Sequence, residues 1–156
     1  MVAVVDIDGV VADVRHRLHH VTGRPKDWRA FFAGADDDGL LTEGEHTVRA
    51  LAEVYEIVYL SGRPERLRTV TQDWFARHDL PPGRLLLRPY DDFRPSSVYK
   101  VDVLETLGAT HTVVVLVDDD PRVLDAARRA GFDVLPATWM GEHSVLREAQ
   151  ERDGRT

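Results

Sequence analysis

The sequence predicts an α/β fold: a three-layer, Rossmann-like parallel sheet with helices on both faces. Three observations lead there. Short apolar runs alternate with stretches of helical period along the 156 residues. The runs are rich in β-branched residues and do not alternate in polarity, as is usual for central parallel strands. Polar residues gather just past the ends of the runs, where such sheets bind their ligands.

Five runs read as strands: VAVV (Val2–Val5), EIVYL (Glu56–Leu60), RLLL (Arg84–Leu87), TVVVLV (Thr112–Val117) and FDVLP (Phe132–Pro136). The stretches between them read as helices. Thr42 and Glu45 have capping-box spacing, and Val48, Leu51, Ala52 and Tyr55 follow at helical period. Pro64 fits a first helical position, with Leu67, Val70 and Trp74 on one face. Ser97 is expected to cap a helix carrying Val101, Leu104 and Leu107 and ended by Gly108. Asp120 is expected to cap one opened by Pro121 and ended by Gly131. Residues 10 to 45 form a small insert, and the polar stretch 141–156 is expected to be a tail with one short, fraying helix. The length fits one domain over residues 1–156.

Composition bounds the function. The absence of cysteine excludes disulfides and thiolate metal sites. The opening MVAVVDIDG lacks the basic region and long apolar run of a signal peptide, and no run reaches the length of a membrane span. The expected location is therefore the cytoplasm, with no membrane partner. A net charge of -7 argues against a protein that grips duplex DNA through many phosphates, while leaving room for a local basic rim.

Three polar groups follow the strands. Asp6, Asp8 and Gly9 come after the first, Ser61, Gly62 and Arg63 after the second, and Asp118, Asp119 and Asp120 after the fourth. In an extended segment, residues i and i+2 point to one side, so Asp6 and Asp8 are expected to share a pocket. Carboxylates crowded into one crevice repel each other unless a cation is present. Oxygen donors without cysteine favour Mg²⁺ over zinc or copper. Such an ion beside carboxylates suggests phosphate chemistry, with an aspartate attacking a neutralised phosphoryl group. Ser61, the amides of Gly62 and Arg63, and Lys100 would hold the phosphoryl oxygens. Lys100 falls in the first turn of its helix, where the macrodipole disfavours a cation, which points to a ligand.

These residues resemble the motifs of the haloacid dehalogenase superfamily of phosphotransferases. DIDGV (Asp6–Val10) matches its first motif, LSGRP (Leu60–Pro64) its second, Lys100 in VYKVDVLE its third, and VDDDP (Val117–Pro121) its fourth. A lone DxDG is weak; four motifs in order at strand ends are strong. The resemblance implies that Asp6 is the nucleophile, forming an aspartyl-phosphate. Asp8 would protonate the leaving group and then activate water; an aspartate there favours a phosphatase over a dehalogenase. Mg²⁺ would be held by the Asp6 carboxylate, the Asp8 backbone carbonyl and Asp118 or Asp119. Neither gap between motifs holds a large cap domain.

A narrower resemblance runs through RHRLHHVTGRPKDWRAFF, LSGRPERLRTVTQDWF, LLLRPYDDFRPSSVYK and VDDDPRVLDAARRAGFDVL. It is similar to the 3′-phosphatase domain of bacteriophage-type polynucleotide kinase, which implies a nucleic-acid 3′ end as substrate. No GxxxxGK[ST] stretch accompanies it, so the phosphate-cradling loop of a kinase half is absent.

Flanking residues have two readings each. Arg15, His16, Arg17, His19 and His20 are either substrate contacts or a solvated helix face. Arg88 is either on the pocket rim or in a structural salt bridge. Trp28, Phe31 and Phe32 are read as core and not as a stacking platform. GADDDGLLTEGE (Gly34–Glu45) has nearly the spacing of a calcium loop but lacks its first ligand, so it is read as a solvated acidic loop. Other functional classes compete. They are a small-metabolite phosphatase of the same superfamily, a catalytically silent phosphate-binding module, and a signalling receiver domain. The last fails on position, because its phosphate-accepting aspartate follows the third strand, where this chain has Arg88-Pro89.

Overall fold

The structure, a computed structural model, describes residues 1–156. It has strands β1 (Val2–Val5), β2 (Ala12–Asp13), β3 (Gly39–Leu40), β4 (Glu56–Pro64), β5 (Gly83–Arg88), β6 (Val113–Asp118) and β7 (Val134–Pro136). The helices are α1 (Trp28–Ala33), α2 (Thr42–Ala52), α3 (Arg68–Arg77), α4 (Ser96–Gly108), α5 (Pro121–Arg129) and α6 (Ser144–Arg147). Five strands form one parallel sheet in the order β5-β4-β1-β6-β7. Strand order reverses at β1, so the crevice for a ligand lies at the carboxyl ends of β4, β1 and β6. The short β2 and β3 pair antiparallel within the insert.

Alternation along the strands builds the three layers. Ala3, Val5, Ile57 and Tyr59 face a core shared with Phe31, Val48 and Trp74 of α1, α2 and α3. Val2, Val4, Val58 and Leu60 face a second core with Leu104 of α4 and Val123 and Ala127 of α5. Each fully buried aliphatic side chain contributes roughly 1.5–3 kcal/mol. A one-residue slip of β1 would exchange its two sets of contacts, so its register is strongly fixed.

Four local expectations are corrected. Pro64 does not open a helix: β4 runs on through Ser61 to Pro64, with a register shift against β5, and α3 begins only at Arg68 after a 3-10 turn. The Thr42–Glu45 capping box does not form. Leu41 takes the N-cap place, its amide bonded to the Val11 carbonyl, and Thr42 is already helical. Ser97 lies inside α4, which starts at Ser96; its amide and hydroxyl both donate to the Glu151 carboxylate. Residues 141–156 are not a fraying tail. Beyond α6 the chain continues as a π-helical turn, Glu148–Arg152, and Leu146, Ala149, Gln150 and Thr156 are buried. Asp120 does cap α5, accepting from the Arg122 amide, and Gly131 with φ +91° follows that helix.

Candidate active site

At the end of β1 the Asp6 amide still donates to the Val117 carbonyl of β6 at 2.9 Å. The chain then reverses. The Ile7 carbonyl accepts from the amides of Val10, Val11 and Ala12, and Gly9 sits at φ +82°. A Cβ on Gly9 would lie 2.3 Å from Asp119 Oδ2. Glycine is therefore required twice over, for its left-handed backbone and for the close approach of Asp119. The tight turn also separates Asp6 from Asp8. The two were expected to share one extended face, but each meets its own set of cations.

Asp6 joins Asp118 at the end of β6 and Asp119 just beyond. All three are buried, and each offers a carboxylate oxygen within 4.8 Å of the others. Lys100 was expected in the first turn of its helix, but α4 starts at Ser96 and places it in the second, so the macrodipole does not account for it; its Nζ lies 2.8 Å from Asp6 Oδ2 and 2.7 Å from Asp118 Oδ2. On the far side, Arg147 Nη1 reaches Asp119 Oδ2 at 2.9 Å and Nη2 donates to the Asp119 carbonyl at 2.6 Å. Burial drives the Asp6 carboxyl well above the usual range; Lys100 opposes the shift, and Asp118 and Asp119 add to it. Burial likewise pushes Asp119 up to about 7, against the pull of Arg147. Burial alone would lower Lys100, but Asp118 and Asp6 outweigh it and hold it firmly protonated. Three crowded hard-oxygen donors whose charges are this costly are a donor set suited to a divalent cation such as Mg²⁺.

The Asp8 side chain lies outside that cluster. Its Oδ1 accepts from Arg63 Nε at 2.8 Å and Nη2 at 2.6 Å, and from Arg17 Nη2 at 3.2 Å. Its Oδ2 accepts from the Thr156 hydroxyl. Burial alone would raise its carboxyl, but Arg63 and Arg17 hold it well below the usual carboxylate range. Both guanidiniums also bind Asp38, Arg63 at 2.8 Å and Arg17 at 2.7 and 2.9 Å. Arg17 further stacks on the Phe31 ring, 4.4 Å from its centroid. Two buried arginines thus share two buried aspartates, and the charges balance.

The Ser61–Arg63 stretch ends β4 beside this network. The Ser61 hydroxyl accepts from the Arg63 amide at 3.2 Å. A Cβ on Gly62 would lie 2.2 Å from the Thr156 carbonyl carbon, so the C-terminal segment rests directly on that glycine. Arg88 is buried behind it, donating to the Gly62 carbonyl, the Arg94 carbonyl and the Ser96 hydroxyl.

The residues named from sequence therefore fall into three adjoining groups at one sheet edge. Asp6, Lys100, Asp118 and Asp119 form the first, Asp8, Arg17 and Arg63 the second, and Ser61, Gly62 and Arg88 the third. Of the basic run Arg17 is buried and His16 Nε2 reaches Asp38 Oδ1 at 2.8 Å, while Arg15 is exposed and paired with Asp13. Sequence reading missed Asp38, which is buried and not part of a solvated loop, and also Arg147, Ser96 and Thr156. Phe31 and Phe32 are core, as read.

Solved structures share this fold. Chains in two structures of the Pnkp1/Rnl/Hen1 RNA repair complex superpose with TM-scores of 0.70 and 0.72 at 24% and 23% identity, over 86% and 87% of this chain. The chain spans less than half of theirs, 41% and 44%. A haloacid dehalogenase-like family hydrolase from Streptococcus pneumoniae superposes with a TM-score of 0.60 at 15% identity, over 96% of this chain and 90% of its own. A search of curated proteins finds no match. The architecture is thus that of the haloacid dehalogenase-like hydrolases. The sequence model of the polynucleotide kinase PNKP phosphatase domain matches residues 1–138, and the chain belongs to that family of phosphatases. No helix is long and apolar enough to cross a membrane.

Proposed function

We propose that the protein is an Mg²⁺-dependent phosphomonoesterase that works through an aspartyl-phosphate and acts on 3′-phosphate ends of nucleic acid. The observation that carries the chemistry is Asp6, held at the strand end beside Lys100, Asp118 and Asp119. Membership of the polynucleotide kinase phosphatase family supports the substrate.

In this reading a carboxylate oxygen of Asp6 attacks phosphorus and the bond to the 3′ oxygen breaks. Asp8 delivers the proton that the departing oxygen takes up. A phosphoryl group seated against Arg63 draws part of that positive field away from Asp8, which lets Asp8 carry a proton. Having given up that proton, Asp8 is the carboxylate that its arginines favour, and in the second half it takes a proton from water. The water oxygen attacks phosphorus, the Asp6–phosphorus bond breaks, and inorganic phosphate leaves. Ser61, the Gly62 and Arg63 amides and Lys100 bind the phosphoryl oxygens. The carboxylates of Asp6, Asp118 and Asp119, with the Asp8 carbonyl, would hold Mg²⁺, which neutralises phosphoryl charge.

The test is phosphate release with Mg²⁺ from a 3′-phosphorylated oligonucleotide and from a matched 3′-mononucleotide, with Asp6→Asn as the blank. Faster release from the oligonucleotide, abolished in the variant, is expected. Equal release from both moves the substrate to small metabolites. Wild-type rates in Asp6→Asn overturn the mechanism.

A further inference from the structure

Residues 141–156 lie beyond the part of the chain that the family model matches, yet they reach both halves of the candidate site. On the metal side, Arg147 Nη1 takes Asp119 Oδ2 at 2.9 Å and Gln150 Nε2 approaches Oδ1 at 3.5 Å. Both oxygens of that carboxylate are thus engaged by one segment. On the phosphate side, the Thr156 hydroxyl donates to Asp8 Oδ2, and the Thr156 backbone lies on Gly62. The proposed chemistry uses none of these contacts, and it needs the same carboxylates and amides for a cation and a phosphoryl group. The segment is held mostly by polar groups. Leu146 and Ala149 are its fully buried apolar anchors. Glu151 accepts from the Ser97 amide at 2.9 Å and the Ser97 hydroxyl at 2.8 Å, at the start of α4, where the helix dipole favours an anion. Lys26 of the insert binds Glu148 at 3.0 Å and also Asp153. Arg147 Nε is buried with no hydrogen-bond partner, so the closed position leaves one donor unsatisfied. Where the segment begins, Gly141 has φ +80° and nothing within 4 Å of the place a Cβ would take. A glycine in open space can absorb a backbone rotation, as hinges do.

We propose that residues 141–156 form an autoinhibitory strap hinged at Gly141, which closes by binding Asp119 and Asp8 and is opened by Mg²⁺ and a phosphoryl group taking those same groups. The proposal rests on the phosphomonoesterase reading above and adds a regulatory device to its site. A divalent cation on Asp119 competes for the oxygens that Arg147 and Gln150 hold, and it repels the Arg147 guanidinium. A phosphoryl group on the Gly62 and Arg63 amides needs the space that the Thr156 backbone covers. Closure and loading therefore exclude each other. By linkage, the strap weakens ligand binding by the same factor by which the ligands weaken closure. Polar contacts that water can replace suit such a segment, because local opening draws on regions with few buried apolar contacts.

The test uses the full chain and two variants that loosen the strap through contacts outside the proposed machinery, Glu151→Ala and Lys26→Ala. Glu151→Ala is expected to raise kcat/KM for p-nitrophenyl phosphate about tenfold or more, from the loss of hydrogen bonds to a charged group. It should also lower the Mg²⁺ concentration that gives half the maximal rate. Lys26→Ala should move both quantities in the same direction by less. Hydrogen–deuterium exchange of the wild-type protein, read by mass spectrometry, needs no turnover. In EDTA the Ser97 amide and residues 147–156 are expected to be protected, and Mg²⁺ with inorganic phosphate should speed their exchange several-fold. A segment that only stabilises the fold predicts the reverse: both variants lose activity, and ligands leave exchange unchanged or slow it. Either result overturns the strap. If the wild-type protein and both variants release no phosphate, the phosphatase reading falls. Exchange with Mg²⁺ alone then still decides the strap: faster exchange at residues 147–151 supports it, and unchanged exchange overturns it.

Discussion

The hydroxyl of Thr156 donates to Oδ2 of Asp8 across 148 positions of sequence. The main-chain oxygen of Thr156 accepts from the Ser96 hydroxyl at 2.6 Å, and its backbone lies against Gly62. The C-terminal segment thus covers the crevice in which a phosphoryl group would meet Ser61. Asp6, Asp8, Ser61, Lys100 and Asp118 are each no more than 2% exposed.

In the proposed reading, substrate displaces Thr156. A hydrogen bond to a charged group contributes about 1.5–3 kcal/mol. Thr156→Ala removes it and is expected to raise kcat/KM for p-nitrophenyl phosphate by about 10- to 140-fold, that range converted at 1.4 kcal/mol per tenfold. Steady-state kinetics on the two proteins decides it; an unchanged kcat/KM would mean that opening of the segment does not limit the reaction.

Asp38 neutralises two buried guanidiniums at once. Asp38→Asn keeps its shape and removes its charge, leaving Arg17 and Arg63 to share Asp8 alone. Removing one partner of a buried ion pair typically costs about 3–5 kcal/mol. Urea unfolding of the variant is expected to show a loss of that order. A midpoint close to wild type would show that water or a neighbouring group has taken over the role of Asp38.

Gly9 and Gly131 both have positive φ, at 82° and 91°, but only Gly9 has a neighbour in the way. Gly131→Ala should cost the backbone strain alone, about 1–3 kcal/mol. Gly9→Ala adds the collision with Asp119 and is expected to cost more and to abolish phosphate release. Thermal unfolding of both variants separates the terms, and equal losses would remove the packing argument for the glycine of DIDG.

Metal removal gives a fourth expectation. EDTA should stop phosphate release and added Mg²⁺ restore it. Mg²⁺ that binds the native state alone also raises its stability by mass action. The wild-type Tm should therefore climb with Mg²⁺ concentration, and that of Asp119→Asn much less. EDTA-insensitive hydrolysis would count against a metal at Asp6, Asp118 and Asp119.

Much of the fold was legible because its signals are local. VAVV and TVVVLV announce buried strands, and a parallel sheet brings their ends together, which places Asp6 near Asp118 and Asp119. What was illegible depends on partners remote in sequence. Asp38 sits in ADDDG, a stretch whose composition is that of any solvated loop; it is buried because Arg17 and Arg63 converge on it. Arg147, Gln150 and Glu151 look like surface residues for the same reason. Each finds its partner across the fold, at Asp119 or Ser97. Pro64 misled because a proline after a strand fits a helix start and a strand end equally well.

The central place of β1 has a consequence for biosynthesis. Val2–Val5 leaves the ribosome well before β6, and Val4 must wait for Leu116 to complete its pairing. At about 5–20 residues per second of synthesis, that wait is on the order of ten seconds. Throughout it, an apolar segment with two open hydrogen-bonding edges is exposed to other nascent chains. The strand that presents Asp6 is therefore also the segment with most need of a chaperone, and overproduction should trap the protein in aggregates more readily at high synthesis rates than at low ones.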